Sequence, residues 1–133
     1  MRVLVDTSIW SLALRRKEGH GGNEAHTLKR LIEQGEEIYL LGIILQEILQ
    51  GIRRSDQFQA LIKYFEPFPL IELSREDYVK AATIKNELIK KGIRVSTIDA
   101  IIASTAIAKE CVLFTADSDF FHIAKHTKLK LLQ

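Results

Sequence analysis

Cysteine is nearly missing: Cys111 is the only one in 133 residues, which excludes an internal disulfide framework and any multi-cysteine zinc site and suits a reducing compartment. Proline is almost as scarce, and both copies fall in "EPFPL", Glu66 to Leu70, where a helix must stop before an extended segment. Neither sign of charge dominates. The net charge of +2 gives no whole-molecule field that would single out a nucleic acid or a membrane surface, so any basic-patch argument must be local. No apolar run approaches the roughly 20 residues of a membrane span. The opening "MRVLVDTSIW" also lacks the long apolar core and small-residue cleavage site of a signal peptide. A cytoplasmic protein with no membrane contact is expected. Linkers, internal repeats and low-complexity tracts are absent from the sequence.

What remains is an ordinary globular composition, 47% hydrophobic and 27% charged, on a chain long enough for one sizeable core. A single domain over residues 1–133 is expected. Strand-length apolar runs occur at Val3 to Val5, Ile38 to Leu41, Leu70 to Leu73, Val112 to Phe114 and Leu129 to Leu132. Between them, helical periodicity predicts helices over Ser8 to Arg15, Glu24 to Glu33, Ile44 to Ile52, Gln57 to Phe65, Glu76 to Lys90 and Thr97 to Lys109. Strands alternating with helices predict the α/β class, with a parallel central sheet of four to five strands flanked by helices. The clearest boundaries surround "SREDYVKAATIKNELIKKG", where Ser74 can cap, Asp77 sits in the first turn and Gly92 ends the helix. The loop "RRKEGHGGN", Arg15 to Asn23, is basic and glycine-rich.

Ligands of open parallel sheets gather outside the carboxyl ends of the strands, and there the sequence places acids. Asp6 follows "VLV", while Asp117 and Asp119 follow "VLF" in "VLFTADSDFF". Each has a structural role available: Asp6 as the opening of the next helix, where Thr7 or Ser8 would serve as well, and Asp119 as a cap for "FFHIAK". Together they would repel one another at one sheet edge unless a cation joined them. In "LGIILQEILQGIRR", Ile44, Leu45, Ile48, Leu49 and Ile52 form an apolar stripe. Glu47, Gln50, Gly51 and Arg54 then share the other face, with Gly51 leaving room beside the Glu47 carboxylate. "STIDAIIASTAIA", Ser96 to Ala108, carries a single charge, Asp99, in a helix otherwise suited to burial. Ser96 as cap makes Asp99 the third residue of a capping-box-like start, yet a partly buried carboxylate needs a cation to stay ionised. The candidate ligands are carboxylates, with hydroxyls Thr7, Ser8 and Thr115 close by in sequence, an inventory that fits Mg2+ or Mn2+. The histidines offer less. His122 and His126 stand one turn apart without a third ligand beside them, and His20 and His26 belong to the loop and the following helix.

This pattern resembles the PIN-domain nucleases, and within them the VapC-type toxins of toxin–antitoxin pairs. "VLVDTSIW", "LGIILQEILQGI", "STIDAIIASTAIA" and "VLFTADSDF" match the family's acid-bearing segments in order. The resemblance implies a PIN-like fold and catalytic acids at Asp6, Glu47, Asp99 and Asp117. It implies metal ligation by Asp6, Asp99 and Asp117 with Asp119 as a further member, and supporting hydroxyls at Thr7, Ser8 and Thr115. It further implies RNA as substrate, a homodimer and a cognate antitoxin that blocks the metal site. Arg15, Arg16, Lys17, Arg53 and Arg54 follow helices near the expected mouth and are candidates for binding RNA phosphates or that antitoxin's acids. The sequence departs from the family at "KECVLFT", where Glu110 and Cys111 replace a glycine-containing turn, and in a longer loop after the first helix.

Other classes fit less well. A phosphoacceptor receiver needs paired acids after its first strand, an acceptor aspartate after its third and a lysine after its last. Here stand a lone Asp6, Ser74 after "LIEL", and the chain end. A haloacid-dehalogenase-like phosphatase needs an aspartate where Ser8 stands. A non-catalytic RNA- or partner-binding PIN-like module is the remaining alternative, and it would not need all four acids.

Overall fold

The computed structural model describes residues 1–15 and 22–133; of the sequence candidates, Arg16, Lys17 and His20 lie outside the described residues. Among the described residues, four strands form one parallel sheet: β1 (Arg2–Val5), β2 (Glu37–Leu41), β3 (Leu70–Ile71) and β4 (Val112–Phe114), in the order β3-β2-β1-β4. Seven helices accompany them: α1 (Thr7–Leu14), α2 (Gly22–Glu33), α3 (Gly42–Leu49), α4 (Ser55–Phe65), α5 (Arg75–Lys90), α6 (Thr97–Ala108) and α7 (Ser118–His126). The expected parallel α/β architecture is therefore present.

The central strand reads "RVLV" because helices cover both of its faces, so its last three residues are all buried. Val3, Leu4 and Val5 align with Val112, Leu113 and Phe114 of β4, and Leu4 also aligns with Tyr39 of β2. That register ends β1 and β4 together, so the residues following each emerge side by side. Core packing continues through Trp10 of α1, fully buried and stacked edge-on to Phe65 at 4.9 Å and Phe68 at 5.3 Å.

Several expected boundaries move. The run Leu129 to Leu132 makes a single parallel bridge, Leu131 to Leu113, rather than a strand. β3 keeps only Leu70 and Ile71 of its expected four residues. Pro69, which has no N–H to give, still accepts from Leu40 N–H at 3.0 Å on this edge. The helix expected to reach Ile52 stops at Leu49, because Gln50 turns extended and Gly51 takes φ 89°, a left-handed conformation that glycine adopts without steric cost. Gly51 is thus a helix terminator, and Gln50, Gly51 and Arg54 do not share a helical face with Glu47. Helix α7 is the element that periodicity did not predict. By contrast α5 begins on a complete capping box, Ser74 with Asp77, and ends before Gly92 at φ 78°, as expected.

Candidate metal centre

Asp6 leaves β1 in an extended conformation and caps α1: its Oδ1 accepts from the backbone N–H of Ser8 at 3.1 Å and Ile9 at 3.4 Å, and from the Ser8 hydroxyl. Thr7 and Ser8 therefore lie inside the helix, and the capping role belongs to Asp6 itself. Its second oxygen accepts from the Thr115 hydroxyl at 2.6 Å. The same hydroxyls tie the end of β1 to the end of β4, since Ala116 N–H donates to Ser8 Oγ at 3.0 Å and Asp117 N–H to Thr115 Oγ1 at 3.0 Å. Only 4% of Asp6 is exposed. Burial pushes its carboxyl above the usual carboxylate range, while the Ser8 and Thr115 hydroxyls and two backbone N–H groups pull it back.

Asp99, Asp117 and Asp119 each offer a carboxylate oxygen, and these atoms lie within 4.8 Å of one another. Asp117 caps α7 by accepting from Asp119 N–H at 2.9 Å. Asp119 thus occupies the first turn and is not the cap. Ser96 caps α6 through Asp99 N–H at 3.0 Å. Where Asp77 completes its box by accepting from Ser74 N–H at 2.8 Å, Asp99 turns its half-buried carboxylate toward the other acids. Burial raises its pKa most, and the negative charges of Asp117, Asp119 and Asp6 raise it further, against a smaller lowering by the Ser96 hydroxyl. Three helix N-termini, those of α1, α6 and α7, meet this cluster and favour its negative charge.

Glu47, on α3, is half-buried and accepts from Thr7 Oγ1 at 2.8 Å. The structure thus brings Asp99, Asp117 and Asp119 together, couples Asp6 to them through Thr115 and through charge, and holds Glu47 on the residue next to Asp6.

Among the described residues, every side-chain ammonium or guanidinium ion pair engages an acid outside this cluster. Several carboxylates, with no ion pair to a cationic side chain among the described residues, form an all-oxygen donor set that fits a hard divalent ion. Of the predicted basic residues, Arg15, Arg53 and Arg54 are described. Arg15 bonds back to the Ser11 carbonyl at 3.3 Å, Arg53 is exposed, and Arg54 grips Asp56 with two hydrogen bonds of 3.1 and 2.8 Å. Arg94, which the sequence did not single out, instead shares a depression with Asp119, His122 and His126. Its sequence signal was the basic turn "KKGIR" ending α5.

The family model for the PIN domain matches residues 3–126. The chain is 28% identical over 130 residues to Ribonuclease VapC1 of Methanocaldococcus jannaschii, covering 98% of this chain and 86% of that one. Its fold is similar to that of VapBC2 from Rickettsia felis bound to a DNA fragment from its promoter (TM-score 0.77, 23% identity, 99% and 98% of the two chains). It is also similar to VapBC-1 from nontypeable Haemophilus influenzae (TM-score 0.79, 18% identity, 100% and 98%).

Proposed function

Because the chain belongs to the PIN domain family, we propose that it is a metal-dependent endoribonuclease acting as the toxin of a VapBC-type toxin–antitoxin pair. The observation that carries this reading is the convergence of Asp99, Asp117 and Asp119 within 4.8 Å, beside a buried Asp6 and a Glu47 held by Thr7. Support for RNA as the substrate comes from the Methanocaldococcus relative, a ribonuclease. Support for an antitoxin partner comes from the similarity to the VapBC structures.

In this reading Asp6, Asp99, Asp117 and Asp119 would hold Mg2+ or Mn2+. When bound, the ion supplies Lewis-acid polarisation of the phosphodiester and stabilises charge on its leaving oxygen. The chain supplies the rest. Thr115 and Ser8 fix the Asp6 carboxylate, Thr7 fixes Glu47, and Glu47 accepts the proton of the attacking water. Cleavage leaves a 5′-phosphate and a 3′-hydroxyl. The protein works in the cytoplasm as a homodimer, and its antitoxin silences it by covering the acids. Among the described residues no helix is long and apolar enough to cross a membrane.

The test is incubation of total cellular RNA with the purified protein in Mg2+ or Mn2+, against a chelator and the Asp99→Asn variant, with all new ends mapped. Discrete metal-dependent cuts absent from the variant are expected. Equal cutting by wild type and Asp99→Asn would overturn the metal-site assignment, and no cutting of any RNA would favour a non-catalytic binding module.

A further inference from the structure

Beside the acids lies a depression of about 280 Å3 lined by Gly92, Ile93, Arg94, Asp119, His122 and His126. Two segments far apart in sequence build it: the turn after α5 and the outer face of α7. Residues 119, 122 and 126 share that face by helical spacing. Lys91 joins the rim, its ammonium donating to the His126 carbonyl at 3.5 Å, where the free carbonyls of a helix C-terminus attract positive charge. Arg94, His122 and His126 are exposed. Arg94 brings the planar five-donor fork suited to phosphate, and each imidazole carries at least one N–H donor in either protonation state.

The Arg94 guanidinium and two imidazole donors therefore line a hollow whose remaining polar wall is Asp119, one of the three converging carboxylates. An RNA strand whose reacting phosphodiester sits at the acids must pass a neighbouring phosphate along one side of them, and this side is furnished for it. Of the basic residues expected from sequence, Arg54 is already committed to Asp56. We propose that Arg94, His122 and His126, with Lys91 at the rim, form a subsite for the RNA backbone phosphate next to the scissile one. The assignment rests on the nuclease reading above and adds to it the direction in which the substrate strand runs, over α7 toward the α5–α6 turn.

The test is binding of a short random-sequence single-stranded RNA, measured by fluorescence anisotropy in EDTA across a series of salt concentrations, with polyglutamate as a parallel probe. Removing one phosphate-neutralising side chain makes the logarithmic salt dependence shallower by about 0.7 for single strands. Arg94→Ala is expected to weaken RNA binding and flatten the slope by about that amount, with Arg94→Lys restoring it, and the double variant His122→Ala/His126→Ala to weaken binding through its lost N–H donors. All three positions are exposed, so the fold is preserved. An unchanged slope in Arg94→Ala, or unchanged affinity in the double variant, would overturn the subsite, as would failure of the wild-type chain to bind RNA. Loss of polyglutamate binding with RNA binding intact would assign the surface to an acidic protein partner and also overturn it. The cleavage assay on total RNA reads the nuclease assignment separately: metal-dependent cuts by a wild type whose RNA salt slope ignores Arg94 would leave the nuclease standing and remove only the subsite.

Discussion

Asp99→Asn is expected to stabilise the metal-free protein while destroying its capacity for metal. The amide keeps the helix start, because it is the backbone N–H of residue 99 that donates to Ser96 Oγ. What it removes is a half-buried negative charge facing Asp117, with the ligand atoms of Asp99, Asp117 and Asp119 within 4.8 Å. Two unit charges at that separation repel by about 1 kcal/mol in water and about 3.5 kcal/mol at an effective dielectric of 20. Solvent reaches both groups, which favours the lower end, so a gain of about 1 to 2 kcal/mol is expected. For a chain of this size that is a rise in Tm of roughly 3 to 8 °C. The sign follows from linkage: the Asp99 carboxyl in the fold lies above its ordinary value of 3.8, so the penalty is fully present above the raised value and disappears as pH falls through it toward 3.8. Thermal unfolding by circular dichroism in EDTA should therefore separate variant and wild type at about pH 7.5, and the gap should close by about pH 3.5. Adding Mn2+ should raise the wild-type Tm and leave the variant's unchanged. A variant no more stable than wild type at neutral pH would refute the claim that these acids are held together against their own repulsion.

Thr7→Val deletes the hydroxyl bonded to Glu47 at 2.8 Å. A hydrogen bond to a charged group is worth about 1.5 to 3 kcal/mol, so RNA cleavage should slow by roughly tenfold or more, with unaltered rate returning Glu47 to a bystander. Asp117→Asn retains a good N-cap for α7 whereas Asp117→Ala loses it, so urea unfolding should find Asn more stable than Ala by about 1 kcal/mol although neither supports cleavage. Equal stability would remove the capping role. Glu110 stands at φ 56°, in the turn where the family often has a glycine. Glu110→Gly should raise stability by about 0.5 to 1 kcal/mol in the same assay, the relief of left-handed strain exceeding glycine's added chain entropy, and a loss of stability would refute that reading of the turn.

Buried strands with nothing polar in them, such as "VLV" and "VLF", declared both their class and their ends, so the placement of Asp6 and Asp117 at one sheet edge followed from sequence. The hydroxyl partners of those acids were legible only as neighbours in the chain. That Thr115 bonds to Asp6 rather than to something local depends on β1 and β4 pairing in one register. Helix α7 is faint in the sequence because it is only nine residues long, two of its apolar residues, Phe120 and Ile123, being buried while Phe121 is exposed, and Asp119 looks as good a cap as Asp117. Gly51 misleads in the opposite sense: a glycine within a periodic stripe can be space for a ligand or a chain reversal, and only the backbone angle decides. The basic turn "KKGIR" hinted at Arg94, but the depression itself was not legible, since its two halves meet only through the packing of the helices.

The order of the strands also sets a timetable. Of the four strands, the inner strand β1 is the first to be made and its neighbour β4 the last, so Asp6 waits through more than a hundred residues of synthesis before Thr115 arrives to hold it. A nascent chain emerging from a ribosome therefore lacks a working set of acids until Asp117 and Asp119 have cleared the exit and β4 has slotted in beside β1. Such long-range closure is intrinsically slow, so on the proposed nuclease reading the chain is harmless to its own translation until that late step, the interval in which the proposed antitoxin can be on hand.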